Sequence, residues 1–347
     1  MNDRNINDNE ARFSHPDEQD YYPPIKYTIE PQDEGMLLKT ILNRRMGISR
    51  KLLSRLKMTQ RGVELNGQRV YVDHKVKGND VIEVRMLRES SDDILPQPME
   101  LHILFEDEHL LILNKPAGVI VHPTHGHYTD TLANGVVHYW KEQGVQFRFR
   151  PVHRLDQETS GVLAIAKNPY AHQHISEQMI RGEVFKSYKA YVHHLPQPPS
   201  GRIEGAIDRH PEHTHIRIVT PDGYDAATRY ATLNTFAEHD AALVSLELET
   251  GRTHQIRVHM KHIGCPLIGD PMYGYAAENP LAPIAATADA ERIAELDRIV
   301  NRQALHAYEL GFVHPATGQK LLFQAPLPAD LERLDRHLRG QAGELES

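Results

Sequence analysis

The sequence predicts an α+β protein, a mostly antiparallel mixed sheet flanked by helices and preceded by a small α+β domain. Three observations predict it. From residue 101 onward, apolar and polar residues alternate with the two-residue period of strands, and helical stretches are few. Before residue 90, two short amphipathic segments are followed by Asn66-Gly67 between alternating segments, a two-residue hairpin signal. The length of 347 residues suits two or three domains, and the 40% apolar and 25% charged fractions are those of a globular chain.

Composition narrows the function classes. No apolar run approaches the roughly 18 residues of a membrane span, and the polar, acidic start is neither a signal nor a transit peptide. Cys265 is the sole cysteine, which excludes an intrachain disulfide and a cysteine-rich zinc site. These features point to a cytoplasmic protein. A formal net charge of −8 excludes a surface basic all over but not a local basic face.

Residues 1–24, rich in Asn, Asp and Glu and ending in Tyr21-Tyr22-Pro23-Pro24, read as a disordered tail. Over 36–61 the apolar residues Leu37, Leu38, Ile41 and Leu42, then Ile48, Leu52, Leu53 and Leu56, recur at helical spacing, with Ser49 as the second N-cap. The same window holds eight cations and no acid, so both helices carry a basic outer face suited to phosphate. Arg44, Arg45, Arg50, Lys51, Arg55 and Lys57 are the candidate RNA contacts. Strands follow around Asn66-Gly67, then a turn at Lys77-Gly78-Asn79-Asp80 and a strand over Val81–Val84. This block, about 35–87, resembles the RNA-binding domain first known from the fourth protein of the small ribosomal subunit, through Ser49-Arg50, the Asn66-Gly67 turn and the Gly-Asp-like end. It departs from that pattern by an extra residue in Gly78-Asn79-Asp80 and by Leu38-Lys39 where an arginine-leucine-aspartate run is usual. The domain is therefore expected over 25–87, with a polar linker over 88–100.

The second domain is expected over 101–338, with a tail over 339–347. Strands are predicted at Leu101–Phe105 and Leu110–Leu113, broken by Asn114-Lys115-Pro116-Ala117-Gly118 and resumed at Val119-Ile120-Val121. A helix through Leu132, Val136, Val137 and Trp140 follows. Pro151-Val152-His153-Arg154-Leu155-Asp156-Gln157-Glu158-Thr159-Ser160-Gly161 then leads into the buried strand Val162–Ala166. Asn168-Pro169 starts a helix with Ala171, Ile175 and Met179 on its apolar face, ended by Gly182. Residues 185–192 alternate, with Tyr188, Ala190 and Val192 on one side. Hairpins occupy 201–235, and 241–249 alternate with Ala242, Val244, Leu246 and Leu248 inward. Thr253 can cap a helix carrying Ile256, Met260 and Ile263. Residues 276–300 read as an inserted loop and helix, and Leu305–Phe312 and Leu321–Phe323 as closing strands.

Taken singly, Asp156 reads as a turn residue, Tyr188 as core, and Arg252 and Arg257 as surface. Together, His-Arg-Leu-Asp-x-x-Thr-Ser-Gly, Lys-x-Tyr-x-Ala and Thr-Gly-Arg-Thr-His-Gln-Ile-Arg-Val-His stand in one order. They resemble the RluA-type pseudouridine synthases, which modify large-subunit ribosomal RNA and some transfer RNAs. The likeness spans nearly all of 101–328, including Asn114–Gly118, Gly269-Asp270 with Tyr273-Gly274, and Ala304-Leu305-His306-Ala307; the 276–300 insertion falls outside it.

The resemblance implies a pseudouridine synthase fold and an isomerase that detaches uracil from C1′ and reattaches it through C5. That reaction needs no nicotinamide, metal, ATP or other cofactor, and the chain has no glycine-rich phosphate loop. By resemblance Asp156 is the catalytic carboxylate, acting on the ribose, the base or a sugar proton. Arg257, in preference to Arg252, is to keep it ionised. Tyr188 is to contact the detached uracil and serve proton transfer at C5. Arg154 is to fill the space left by the flipped base, and Leu155 or Ile256 to pack on the ring. His254 and His153 are read as hydrogen-bonding residues near the site, with Arg252 and His254 among the substrate-binding set. The 23 histidines invite a metal reading, but no His-Glu-x-x-His pattern or recurring acid partner accompanies them. Large-subunit ribosomal RNA is the first expected partner and transfer RNA the second; a monomer without a membrane or obligate protein partner is expected. The competing readings are a non-catalytic RNA-binding ribosome-assembly factor and, on the histidines alone, a metal-dependent hydrolase.

Overall fold

The computed structural model describes residues 18–276, 279 and 289–341. It divides into two units at Ser90/Ser91, with Asn168–Tyr170 grouped with the first.

In the first unit, strand β1 (Ile25–Thr28) is followed by helices α1 (Leu38–Arg44) and α2 (Arg50–Met58) and strands β2 (Val63–Leu65), β3 (Gln68–Arg69) and β4 (Val81–Val84), the sheet order being β1-β4-β2-β3. Leu38, Ile41, Leu42, Leu52 and Leu56 bury the apolar helix faces, and the Ser49 hydroxyl caps α2 by accepting from Leu52 N–H. Asn66 and Gly67 both take positive φ (52° and 77°), the geometry of a two-residue hairpin with the right strand twist. Beyond Arg69 the expected strand stops, and Tyr71 is 87% exposed.

Two expectations at the edges of this unit change. Residues 18–24, expected as tail, are folded: Tyr21 and Tyr22 are buried, and Tyr22 N–H donates to the Met86 carbonyl. Residues 1–17 lie outside the described residues. In the second unit, the start of the expected 88–100 linker is seated rather than free. Ile94 joins the core, the Ser91 hydroxyl accepts from Phe149 N–H, and Asn134 donates to the Leu95 carbonyl.

The second unit is built on a nine-stranded sheet. In chain order its elements are β5 (His102–Glu106), β6 (Leu110–Lys115), α3 (Leu132–Glu142), β7 (Ser160–Ala166), α4 (Pro169–Ile180), β8 (Phe185–His193), β9 (Ser200–Glu204), the small hairpin β10 (Ile207–Arg209) and β11 (Arg217–Val219), β12 (Ala227–Phe236), β13 (Ala241–Leu248), α5 (Gln255–His262), α6 (Ala290–Val300), β14 (Leu305–Val313), β15 (Lys320–Gln324) and α7 (Ala329–Leu338). The order is β5-β6-β7-β14-β8-β13-β12-β9, with β15 on β14. Among the described residues only β7 and β14 pair in parallel, so the sheet is the expected mostly antiparallel mixed one. Core residues of α3 and α5 cluster on one face, and those of α4, α6 and α7 on the other. Covered on both faces, β7 is buried throughout, which is why Val162–Ala166 is a continuous apolar run.

Three local differences have plain causes. Val119–Val121 is not a strand: the Ile120 and Val121 carbonyls accept from Leu132 and Ala133 in the first turn of α3. Thr253 is not the N-cap of α5. His254 is, at φ 57° and without a side-chain cap, because Gln255 N–H, the first amide of the helix, already donates to the Arg252 carbonyl. In the expected insertion, residues 277–278 and 280–288 lie outside the described residues, but α6 is part of the core. Leu296 and Val300 pack with Leu331 and Leu334 of α7.

One row of the sheet positions the site. Gly161, Ala307, Tyr188 and Leu246 are successive partners across β7, β14, β8 and β13. This register puts the loop before β7, the middle of β8 and the end of β13 at one edge of the core. Gly161 is required there, since a Cβ would come within 2.1 Å of the Ala307 carbonyl oxygen.

Candidate active site

Asp156, Tyr188 and Arg257 line one cleft of about 630 Å3, within the size range of small-ligand sites. Arg154, Leu155, Arg252, His254 and Ile256 line it as well. The expected site residues of the second unit are therefore brought together from three separate segments.

Asp156 sits in the loop before β7, its side chain 29% exposed to the cleft. Four polar side chains hold that loop. Lys115, at the end of β6 and fully buried, donates to the Pro116, Val119 and Gln157 carbonyls at 2.7–2.9 Å. Burial pulls its pKa down to about 7. Its three carbonyl partners match the three N–H donors that only the ammonium form carries. Arg302 Nη1 donates to the Glu158 carbonyl at 2.8 Å, while its Nε and Nη2 grip Asp330. Gln303 reaches the Thr159 hydroxyl at 3.4 Å. Ser160 Oγ lies 2.9 Å from His306 Nδ1; His306 Nε2–H faces the Ala325 carbonyl, so Nδ1 accepts from the serine. Burial lowers the His306 pKa to about 4 and keeps it neutral.

Arg257 comes from the first turns of α5. It is 5% exposed. Its Nε and Nη2 donate to Asp270 at 2.7 and 2.8 Å, and its Nη1 lies 3.5 Å from Asp156 Oδ2. Burial disfavours its charge, but Asp270 and Asp156 outweigh this and raise its pKa above the ordinary arginine value. Asp270 is itself fixed by the Met272 and Tyr273 amides, and the Tyr273 ring lies 4.8 Å from the guanidinium. Arg252 is exposed and occupied elsewhere: its Nε donates to the Asp225 carbonyl and its guanidinium lies over Tyr224. Among the described residues, Arg257 is the arginine that pairs with Asp156.

His254 Nε2 is 4.0 Å from Asp156 Oδ2, and its Nδ1 is 2.8 Å from the Tyr273 hydroxyl. An ionised carboxylate only accepts, so the tautomer that suits Asp156 carries its proton on Nε2 and leaves Nδ1 to accept from the Tyr273 hydroxyl, which itself accepts from Arg217 N–H. Burial holds His254 near pKa 4, against the pull of Asp156, so it is a neutral donor. His153 Nε2 accepts from Ala164 N–H at 3.4 Å, and burial lowers its pKa to about 4.

Tyr188 projects from β8 into the apolar cluster that contains both Leu155 and Ile256. Burial raises its phenol well above the ordinary value, and the Asp156 charge adds to the shift. A phenol kept protonated donates a hydrogen bond and offers a ring face. Arg154, two residues before Asp156, is exposed at the cleft.

The six candidate RNA contacts of the first unit separate into two sets. Arg45 forks onto the buried Asp33, and Arg55 pairs with Glu89. Their acids lie outside the 36–61 window, so the window's charge count could not reveal them. Arg44, Arg50, Lys51 and Lys57 are exposed and form no ion pair among the described residues. Two of the many histidines have protein hydrogen-bonding partners on both ring nitrogens: His259 is held by Thr228 and Gly205, and His194 by Asp240 and Tyr275.

Sequence reasoning left Lys115, Asp270 and Arg302 without a role. Lys115 and Asp270 stood inside motifs, but nothing local marks a buried cation or its partner before the chain is folded.

The profile of the RNA pseudouridylate synthase family matches residues 109–262, which hold Asp156, Tyr188 and Arg257. The uncharacterized RNA pseudouridine synthase YlyB of Bacillus subtilis is 41% identical over 280 residues, 80% of this chain and 86% of the relative. Ribosomal large subunit pseudouridine synthase D of Xanthomonas campestris is 38% identical over 79% of this chain and 80% of its own length. Among solved structures, human RNA pseudouridylate synthase domain containing 4 aligns with a TM-score of 0.54 at 28% identity, covering 69% of this chain and 93% of that one. By fold, by profile and by identity over four fifths of its length, the chain belongs to the RNA pseudouridylate synthase family and is an RNA uridine isomerase.

Proposed function

We propose that the chain converts specific uridines of large-subunit ribosomal RNA to pseudouridine, with Asp156 as the catalytic carboxylate and the target base flipped into the cleft. One observation carries this reading: Asp156 is a carboxylate open to the cleft and paired at 3.5 Å with the buried guanidinium of Arg257. A carboxylate acts as nucleophile or base only when ionised, and a fixed neighbouring cation favours that form. The ribosomal target is supported by relatives named for the large subunit.

In the isomerisation the C1′–N1 bond breaks, the uracil turns, and a C1′–C5 bond forms. The C5 proton is lost and N1 gains one, so nothing is oxidised or reduced. Tyr188, Leu155 and Ile256 give the detached ring an apolar seat that excludes water, and the Tyr188 hydroxyl and His254 Nε2–H are its neutral donors. Arg154 occupies the gap in the RNA stack while the base is out. The first unit serves as the S-four-like RNA-binding domain, with Arg44, Arg50, Lys51 and Lys57 on phosphates.

Tritium release from RNA labelled at uridine C5 tests the reading. Wild type is expected to release tritium from large-subunit ribosomal RNA, and Asp156→Asn, nearly isosteric but uncharged, to release none above a no-enzyme control. Release from transfer RNA alone would move the target; an active Asp156→Asn would remove Asp156 from its role.

A further inference from the structure

We propose that α6 and the turn that follows it set the spacing of the Asp156–Arg257 pair, with Asp297 acting on the arginine side and Arg302 on the aspartate side. The inference rests on the reading of Asp156 as the catalytic carboxylate. It concerns α6 (Ala290–Val300) and Arg302 just beyond it.

On the arginine side, Asp297 Oδ1 accepts from Gly269 N–H at 2.6 Å and lies 2.8 Å from Nε2 of the fully buried His193. Gly269 immediately precedes Asp270, the carboxylate that grips Arg257 with two bonds. The backbone before it is tied as well: Ile268 N–H donates to the Tyr191 carbonyl, and Ala304 N–H to the Ile268 carbonyl. Asp297 thus holds the last backbone amide before the clamp, and His193 fixes Asp297 to β8.

On the aspartate side, Arg302 lies two residues beyond α6. It donates to the Glu158 carbonyl, two residues after Asp156, and is itself locked onto Asp330. The two sides meet directly: Gly269 has φ 70°, and a Cβ there would come within 2.3 Å of the Arg302 carbonyl oxygen. One short segment therefore touches the supports of both partners. Asp297 and Arg302 contact neither substrate nor reacting atoms; they are positioning residues. A displacement of about 1 Å at a reacting group can cost on the order of 100-fold in rate, so such supports are visible in kinetics.

A plain structural stitch would lower the melting temperature on removal and leave the rate of the folded enzyme unchanged. A positioning residue lowers kcat while KM for RNA holds. The full chain is assayed by tritium release from a large-subunit ribosomal RNA transcript labelled at uridine C5, with bulk transfer RNA as a second substrate. Asp297→Ala is expected to lower kcat ~10- to 100-fold with KM nearly unchanged. Asp297→Asn keeps an oxygen for Gly269 N–H and should restore most of the rate. Glu291→Gln, on the exposed side of α6, should match wild type. Arg302→Lys keeps a charge for Asp330 but cannot fork to Glu158 as well, and it carries the test should Asp297→Ala not fold. Wild-type kcat in folded Asp297→Ala or in Arg302→Lys overturns the inference, as does a rate loss matched by loss of folded protein. If Asp156→Asn stays active, the reading beneath falls instead; if Asp156→Asn is inactive and these variants are not impaired, only the positioning role falls.

Discussion

The Arg257 guanidinium meets the Asp270 carboxylate through two charge-assisted bonds of 2.7 and 2.8 Å, and this fork leaves only Nη1 directed at Asp156. Nearly the whole arginine is buried, and its cleft-facing nitrogen can move only if the fork breaks. The aspartate beside it is supported by main-chain contacts on the two residues that follow. Each half of the pair is therefore held from behind.

Asp270→Asn should destabilise the protein and silence it together. It leaves a buried guanidinium without its main counter-charge, a change that costs about 3 kcal/mol when one partner of a buried pair is removed. Urea unfolding reads the stability loss, and tritium release from folded protein reads the activity. A variant as stable and active as wild type would show that Asp156 alone suffices to hold Arg257.

Acidification should weaken the fold before carboxylates titrate. Burial holds His254 and His306 near pKa 4, against an ordinary 6.5. Between those values the unfolded chain binds protons that the folded chain does not. Their contribution is thus complete above pH 6.5 and lost as pH falls towards 4, about 3 kcal/mol for one fully buried imidazole. Urea midpoints at pH 7, 6 and 5 measure the slope. His306→Gln keeps a donor for Ala325 and an acceptor for Ser160, and should flatten it; a curve parallel to wild type would exclude His306 as a source.

Arg154 is expected to matter in proportion to the cost of extruding the base. It is exposed at the cleft, and Arg154→Ala removes the group proposed to fill the vacated stack. Single-turnover rates on a target uridine in a stem and on the same uridine in an open loop separate this from simple phosphate binding. Extrusion from a stem costs a few kcal/mol that an open loop does not demand, so the loss should be about tenfold greater on the stem. Equal losses on both would assign Arg154 to the backbone.

Much of this was legible before folding. Periodicity marked β8 and β13, and the Asn66-Gly67 turn needed no tertiary context. Asp156, Tyr188 and Arg257 could be named because each stood in a patterned segment; the register row through Gly161, Ala307, Tyr188 and Leu246 explains why those segments meet. What stayed hidden was pairing at long range. Asp270 is 13 residues from Arg257, and Arg302 is 144 from Glu158. The basic window misled for the same reason, since Asp33 and Glu89 fold back onto two of its cations.

Those two cations and the four exposed ones should behave oppositely. Arg44, Arg50, Lys51 and Lys57 face solvent without an acid, so each can release one condensed counterion on meeting a phosphate. Changing all four to glutamine should weaken RNA binding and reduce the slope of log K against log salt by about 3, at roughly 0.7–0.9 for each phosphate no longer neutralised. The fold should be untouched, because no described partner is left behind. Arg45→Gln should do the reverse. It strands the buried Asp33, whose carboxyl Arg45 holds below its ordinary value, so the melting temperature should fall while the salt slope stays near wild type. Binding titrations across a salt series, paired with thermal melts, separate the two. An unchanged slope in the fourfold variant would mean that the basic helices do not carry the RNA.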